Sequence, residues 1–257
     1  MKYILECCVD SLESAVEAKI GGANRIELCS NLLIGGTTPD INLYQMVKER
    51  VDLKIHVLIR PRYGDFCYSD DEFEIIKRNV LQFQQAGADG MVIGILTYDG
   101  SLDLERMKQL IEIGEGMHIT LHRCFDMCRD PLKVLEQAKD LGIQTILTSG
   151  QQNNCYDGKE LIKELVKASN GQVEILIGGG VKPEIIRELL QATKTTSFHL
   201  SGKTIVNSRM EYRKENVTMG LPLFSEYEIW RTDHKIIAAV RRNLEEAISQ
   251  NYMEGFL

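Results

Sequence analysis

Eight short apolar or β-branched runs alternate with eight amphipathic stretches of helical spacing along this chain, and that regularity constrains the fold more than any other feature. The runs are residues 3–7, 25–28, 54–59, 90–94, 118–122, 145–148, 174–177 and 197–200. Several of the stretches between them carry helix-boundary chemistry. Ser69 with Glu72 three residues on forms a capping-box pattern, and Asp130-Pro131 sets an N-cap before a proline at the first helical position. Gly87, Gly114 and Gly142 fall where left-handed helix ends are expected. Strands joined by helices pair in parallel. Eight such units within 257 residues predict a single α/β domain over residues 1–257, closed as a (β/α)8 TIM barrel. An open doubly wound sheet is the competing architecture, but no G-x-G-x-x-G joins the first strand to the first helix. Residues 203–227, after the eighth run, are polar and longer than an ordinary βα loop, so a lid, an oligomer arm and a plain surface excursion all remain open.

Charge and cysteine usage narrow the function. A net charge of -7 argues against a nucleic-acid backbone as partner, since such binding needs a basic face. No apolar run is long enough to span a bilayer, and the first residues lack a signal-peptide pattern, so a soluble cytoplasmic protein is expected. Seven cysteines without framework spacing read as free thiols rather than disulfides. The absence of any C-x-x-C pair speaks against a zinc ribbon.

In a barrel of this kind the site lies at the C-terminal ends of the strands, and here nearly every strand ends in polar or thiol side chains. The first strand offers Glu6 and Cys8, and the second offers Glu27 and Cys29. Residues two apart on a strand share a face, so each Glu projects beside its Cys while Cys7 points away. Further strand ends carry Arg60 and Arg62, then His122, Arg123 and Asp126, then Thr148 and Ser149. The last two carry Gly178, Gly179 and Gly180, and His199, Ser201 and Gly202. Glu6, Glu27 and His122 are the acid–base candidates, and Arg60 and Arg62 the anion-holding ones. The glycines with His199 and Ser201 are candidates for cradling a phosphate. The plainer alternative is a buried ion-pair network joining Glu6 and Glu27 to Arg60, Arg62 or Arg123, because buried charges must be paired. His56, His118 and His234 read as structural or surface residues.

The runs CVDS (8–11), GGANRIELC (21–29), GGTTP (35–39), IRPRYGDFCYSD (59–70), LHRCFDM (121–127), ILTSG (146–150), IGGGV (177–181) and FHLSG (198–202) together resemble the CutC family of copper homeostasis proteins over nearly the whole chain. The resemblance implies a (β/α)8 barrel, a cytoplasmic homo-oligomer (dimer or higher), and a role in copper handling. It also implies Cu(I) ligation by the thiols matching Cys8 and Cys29, which suits a soft ion. Two departures are Cys7 beside Cys8, and Cys124 where the family often has alanine. Two functions stand at this point. One is Cu(I) binding through Cys8 and Cys29, and the other is an enzyme acting on a small anionic ligand, a phosphate ester among the candidates, by acid–base chemistry.

Overall fold

A computed structural model of the chain describes residues 3–220 and 224–253. Eight parallel strands hydrogen-bond in sequence order and close into a barrel: β1 (Ile4–Val9), β2 (Arg25–Leu28), β3 (Lys54–Leu58), β4 (Gly90–Ile93), β5 (His118–Leu121), β6 (Thr145–Thr148), β7 (Glu174–Ile177) and β8 (Ser197–Leu200). Around them run α1 (Leu12–Gly21), α2 (Ile41–Arg50), α3 (Asp70–Gln85), α4 (Leu104–Ile113), α5 (Pro131–Asp140), α6 (Lys159–Ser169), α7 (Ile186–Thr193) and α8 (His234–Met253). The (β/α)8 expectation is met, with strand boundaries within two residues of those expected.

Local chemistry accounts for the boundaries. Ser69 accepts from the Glu72 amide while the Glu72 carboxylate accepts from the Ser69 amide, which completes the capping box of α3. From there Phe73, Ile76, Val80 and Phe83 recur at helical spacing and are buried against the barrel, with Phe83 edge-on to Tyr44 of α2. Gly87 and Gly142 take the expected left-handed conformation, with φ of 75° and 69°. Gly114 does not: its φ is -86°, and Gly116 supplies the positive φ in that turn. A Cβ at Gly114 would lie 2.6 Å from the Met91 methyl, so close packing rather than handedness requires glycine there. A 3-10 turn, Pro183–Ile185, leads directly into α7.

Strand parity divides the core in two. Leu5, Cys7, Val9, Ile26, Leu28 and their counterparts point outward and pack under the helices. Cys8, Cys29, Leu58 and Val92 point inward and form a small apolar cluster of their own. Below that cluster the barrel interior is polar, with Glu6, Arg25, His56, Thr120 and Thr145 all buried.

The segment at 203–227 departs from a plain loop. Lys203–Asn207 (β9) pairs antiparallel with Glu228–Thr232 (β10), from Lys203 opposite Thr232 to Asn207 opposite Glu228. Residues 221–223 of that segment lie outside the described residues. The base of the ribbon is stitched to the barrel: the Thr232 hydroxyl donates to the Ser201 carbonyl and its amide donates to Ser14 Oγ. Among the described residues, no helix is long and apolar enough to cross a membrane.

Candidate functional site

A cavity of about 670 Å³ opens at the C-terminal ends of the strands. Cys8, Glu27, Arg60, His122, Gly179, Gly180, His199, Ser201 and Gly202 line it. Glu6 and Cys29 are fully buried and touch the lining: Glu6 through His199, Cys29 through Cys8. Two other residues expected at the site do not themselves line the cavity. Arg62 is held at the rim by Glu72, Nε to Oε1 at 2.5 Å, and by Asp65 at 3.1 Å. Gly178 faces Leu147, whose Cδ1 would be 2.6 Å from an added Cβ.

Strand register sets the central group. Glu6 stands opposite both Arg25 on β2 and His199 on β8, and Cys8 stands opposite Glu27. Arg25 Nε donates to Glu6 Oε2 at 2.5 Å, and His199 Nδ1 donates to Glu6 Oε1 at 2.7 Å. The buried partner of Glu6 is therefore Arg25, not Arg60, Arg62 or Arg123. Burial alone would raise the Glu6 pKa, but Arg25 and then His199 outweigh it and hold the carboxylate ionised far below its usual range. Glu27 fares differently. Burial, helped by the negative charge of Glu6 and only partly offset by His199, lifts it to about 7. Burial opposes a charge on His199, yet Glu27, Cys8 and Glu6 together push its pKa well up. His199 Nδ1 lies 3.4 Å from Glu27 Oε2 but is committed to Glu6.

The thiols form the next group. Cys8 Sγ is 3.7 Å from Cys29 Sγ. The contact with Cys29, burial and the charge of Glu27 raise the Cys8 pKa well above that of a free thiol. For Cys29 the contact with Cys8 works downward, but burial and the nearby acids leave its pKa raised. Donor atoms of Cys8, Glu27 and His199 all lie within 4.8 Å of one another, the spacing of a metal-binding triad. Cys7 points out of the barrel toward the Ser201 carbonyl, as parity requires. Cys124 lies in a 3-10 turn, Arg123–Met127, rather than continuing β5, and it packs in the outer core.

His122 and Arg60 complete the wall. His122 Nδ1 accepts the Cys124 amide at 3.1 Å, and its ring packs on Phe66 with centroids 4.8 Å apart. Burial and then the charge of Arg60 lower its pKa to about 3, so the ring is neutral. Arg60 donates to the carbonyls of Gly35, Gly36 and Gly64, and no carboxylate pairs with it among the described residues. Gly179, at φ 87°, brings backbone up to Arg123: a Cβ there would lie 3.4 Å from the guanidinium carbon. Arg123 is steered by Asp126 at 2.7 Å and Ser149 at 2.7 Å. Asp126 also accepts from the Thr148 hydroxyl and the amides of Ser149 and Gln151, which fixes the β6 loop.

The residue most clearly missed by sequence reasoning is Arg25. It shares the inward face of Glu27 and Cys29, so the parity rule could have found it, but it stands at the start of its strand, where no functional group was sought. His56 and His118, expected to be structural or surface residues, stack inside the barrel with centroids 4.8 Å apart.

A family model described as the CutC family matches residues 3–204. A copper homeostasis protein cutC homolog from Mus musculus is 43% identical over 232 residues, covering 90% of this chain and 85% of the mouse protein. A family protein CutC from Bacteroides fragilis is 44% identical over 228 residues, covering 88% of this chain and 91% of its own. Among solved structures, a CutC protein from Streptococcus agalactiae, named for copper homeostasis, superposes with a TM-score of 0.73 at 32% identity. It covers 78% of this chain and 99% of its own.

Proposed function

Because this chain belongs to the CutC family, we propose that it serves copper homeostasis by holding Cu(I) between Cys8 and Cys29. The observation that carries this reading is the 3.7 Å separation of the two sulfurs. Metal–sulfur bonds of about 2.3 Å put two thiolates on one ion roughly 3.8–4.0 Å apart at tetrahedral to trigonal angles. Little movement is needed. Thiolates suit a soft ion, and His199 or Glu27 stands ready as a third ligand beside Cys8. Both thiols are protonated at neutral pH, so uptake displaces protons and affinity rises with pH. In an anaerobic Cu(I) titration against a chromogenic chelator, Cys8→Ser with Cys29→Ser is expected to weaken binding by at least about 100-fold (about 2.7 kcal/mol). A double variant that binds as tightly as the wild type rules out this pair.

Arg60 favours a second reading, an enzyme acting on a small anionic substrate. A buried cation requires a counter-charge, and Arg60 is 7% exposed, with the Phe66 ring beneath it and backbone carbonyls but no carboxylate around it among the described residues. An anion entering the cavity would complete it, with Arg123 and the Gly179 turn facing the same space. At constant ionic strength, inorganic phosphate at about 100 times its Kd is expected to stabilise the protein by about 2.7 kcal/mol. Arg60→Met is expected to lose most of that gain. Equal melting temperatures of the wild type in phosphate and in chloride would remove the anion site.

A further inference from the structure

Among the described residues, three polar atoms on cavity-lining residues are buried without a hydrogen-bond partner: Glu27 Oε2, Arg60 Nε and His122 Nε2. Their residues are 4%, 7% and 4% exposed, so bulk water does not supply the missing bonds. Polar groups left this way are costly, and they describe the ligand that would relieve them. That ligand offers a proton to Glu27 and an oxygen to the two nitrogens.

The protonation states are set by geometry. His122 Nδ1 accepts the Cys124 amide, so the ring proton sits on Nε2 and that nitrogen can only donate. Beside it is Arg60, a permanent cation. A donor and a cation converging on one oxygen stabilise negative charge that develops there during reaction. Glu27 lacks the Arg25 contact that neutralises Glu6, and its Oε2, 3.4 Å from a His199 Nδ1 committed to Glu6, accepts no hydrogen bond among the described residues. Among the described residues no activated nucleophile accompanies them: Cys8 and Cys29 face each other as thiols in an apolar cluster. A base and an oxyanion-stabilising pair without a nucleophile are the parts needed to move a proton on carbon next to a carbonyl.

We propose that the cavity takes a small α-hydroxycarbonyl compound bearing a phosphate or carboxylate, and that Glu27 transfers a proton at the carbon beside its carbonyl while His122 and Arg60 hold the carbonyl oxygen. Glu27 accepts the proton from carbon, and the C–H electron pair becomes the new carbon–carbon double bond. The carbonyl π pair moves onto oxygen as an enolate held by His122 and Arg60. The protonated Glu27 then returns its proton to carbon, at the same position or, once the hydroxyl proton has shifted between the two oxygens, at the neighbouring one. Nothing is oxidised or reduced overall, and no co-reactant is consumed. The anionic group lies between Arg60 and Arg123, against the Gly179–Gly180 turn. The proposal rests on the small-anion reading above.

The test is deuterium uptake from heavy water, followed by NMR, with dihydroxyacetone phosphate, glyceraldehyde phosphate and hydroxypyruvate as probes. Uptake by the wild type is expected on the carbon beside the carbonyl of at least one probe. Glu27→Gln is expected to lower the rate at least about 100-fold, and His122→Gln about 100-fold in kcat with little change in KM. Arg60→Met is expected to raise KM as well. The preferred probe tells phosphate from carboxylate. If the probes or inorganic phosphate raise the melting temperature yet no deuterium enters, proton transfer is overturned and the anion pocket stands. If nothing binds, both fall. Equal rates in Glu27→Gln and wild type overturn the assignment of the base.

Discussion

Replacing Glu6 by alanine is expected to cost about 3–5 kcal/mol of stability, the usual penalty for stranding one member of a buried ion pair. Arg25 and Glu6 are both more than nine-tenths buried, and Arg25 Nη2 already lacks a partner. Without the carboxylate, the guanidinium would be an uncompensated charge inside the barrel, and His199 would lose its 2.7 Å acceptor. The measurement is a urea transition at pH 7 for Glu6→Ala. Alongside it goes the pair Glu6→Leu with Arg25→Met, which removes both charges and is expected to recover much of the loss. A cost below about 1 kcal/mol for the single change would place the pair in the surface-like class and contradict its burial. The pH dependence has a definite sign. Because the Glu6 pKa is depressed on folding, its contribution is complete above the ordinary carboxylate range and drains away as pH falls toward the folded value.

Glu27 is expected to behave in the opposite way. Its pKa rises from 4.5 to about 7 on folding, so between those values the folded chain holds a proton that the unfolded chain has released. Stability contributed by this group therefore falls as pH climbs through the window and stays low above it. At about 1.4 kcal/mol per pH unit, the whole effect is on the order of 3 kcal/mol. Glu27→Gln removes the titration and nearly keeps the shape. At pH 8 the variant is expected to be more stable than the wild type, and the wild-type loss of stability between pH 5 and pH 7 should flatten. Chemical denaturation across that range decides it, and a wild type with no decline there would show that His199 fully compensates the charge. A residue whose replacement stabilises the fold belongs to a site maintained for something other than stability.

These two carboxylates also mark where the sequence was legible. Parity placed Glu6 beside Cys8 and Glu27 beside Cys29, and both pairs do face inward. What parity cannot supply is the identity of the neighbour across the barrel. Glu6 meets Arg25 and His199 through register, and register depends on how eight strands close rather than on any one of them. Arg62 is named with Arg60 as an anion-holding residue because both follow the third strand. The chain has left β3 by then, and Glu72, already placed by its capping box, captures the guanidinium. The orphaned Nε2 of His122 depends on a turn that offers the Cys124 amide to Nδ1, a detail with no signature in residue order. The β9–β10 ribbon escaped notice for a related reason. Its strands are separated by twenty residues with no tight-turn dipeptide, so nothing local announces that they pair.

That ribbon begins and ends at one place. Lys203 and Thr232 are direct partners, and the amide of Asp233 returns to the carbonyl of Gly202, so the chain re-enters the barrel beside the point where it left. The match to the family model stops at residue 204, just as the excursion starts. The ribbon is thus a doorway whose two jambs are fixed to β8 and α1, through which chain of varied length could be fed without disturbing the closure. Loop-closure entropy grows only as the logarithm of length, so drift in the size of the inserted piece is nearly free. Diversity among related chains should accordingly gather at this doorway, while the strand ends around Glu6 and Glu27 hold their register.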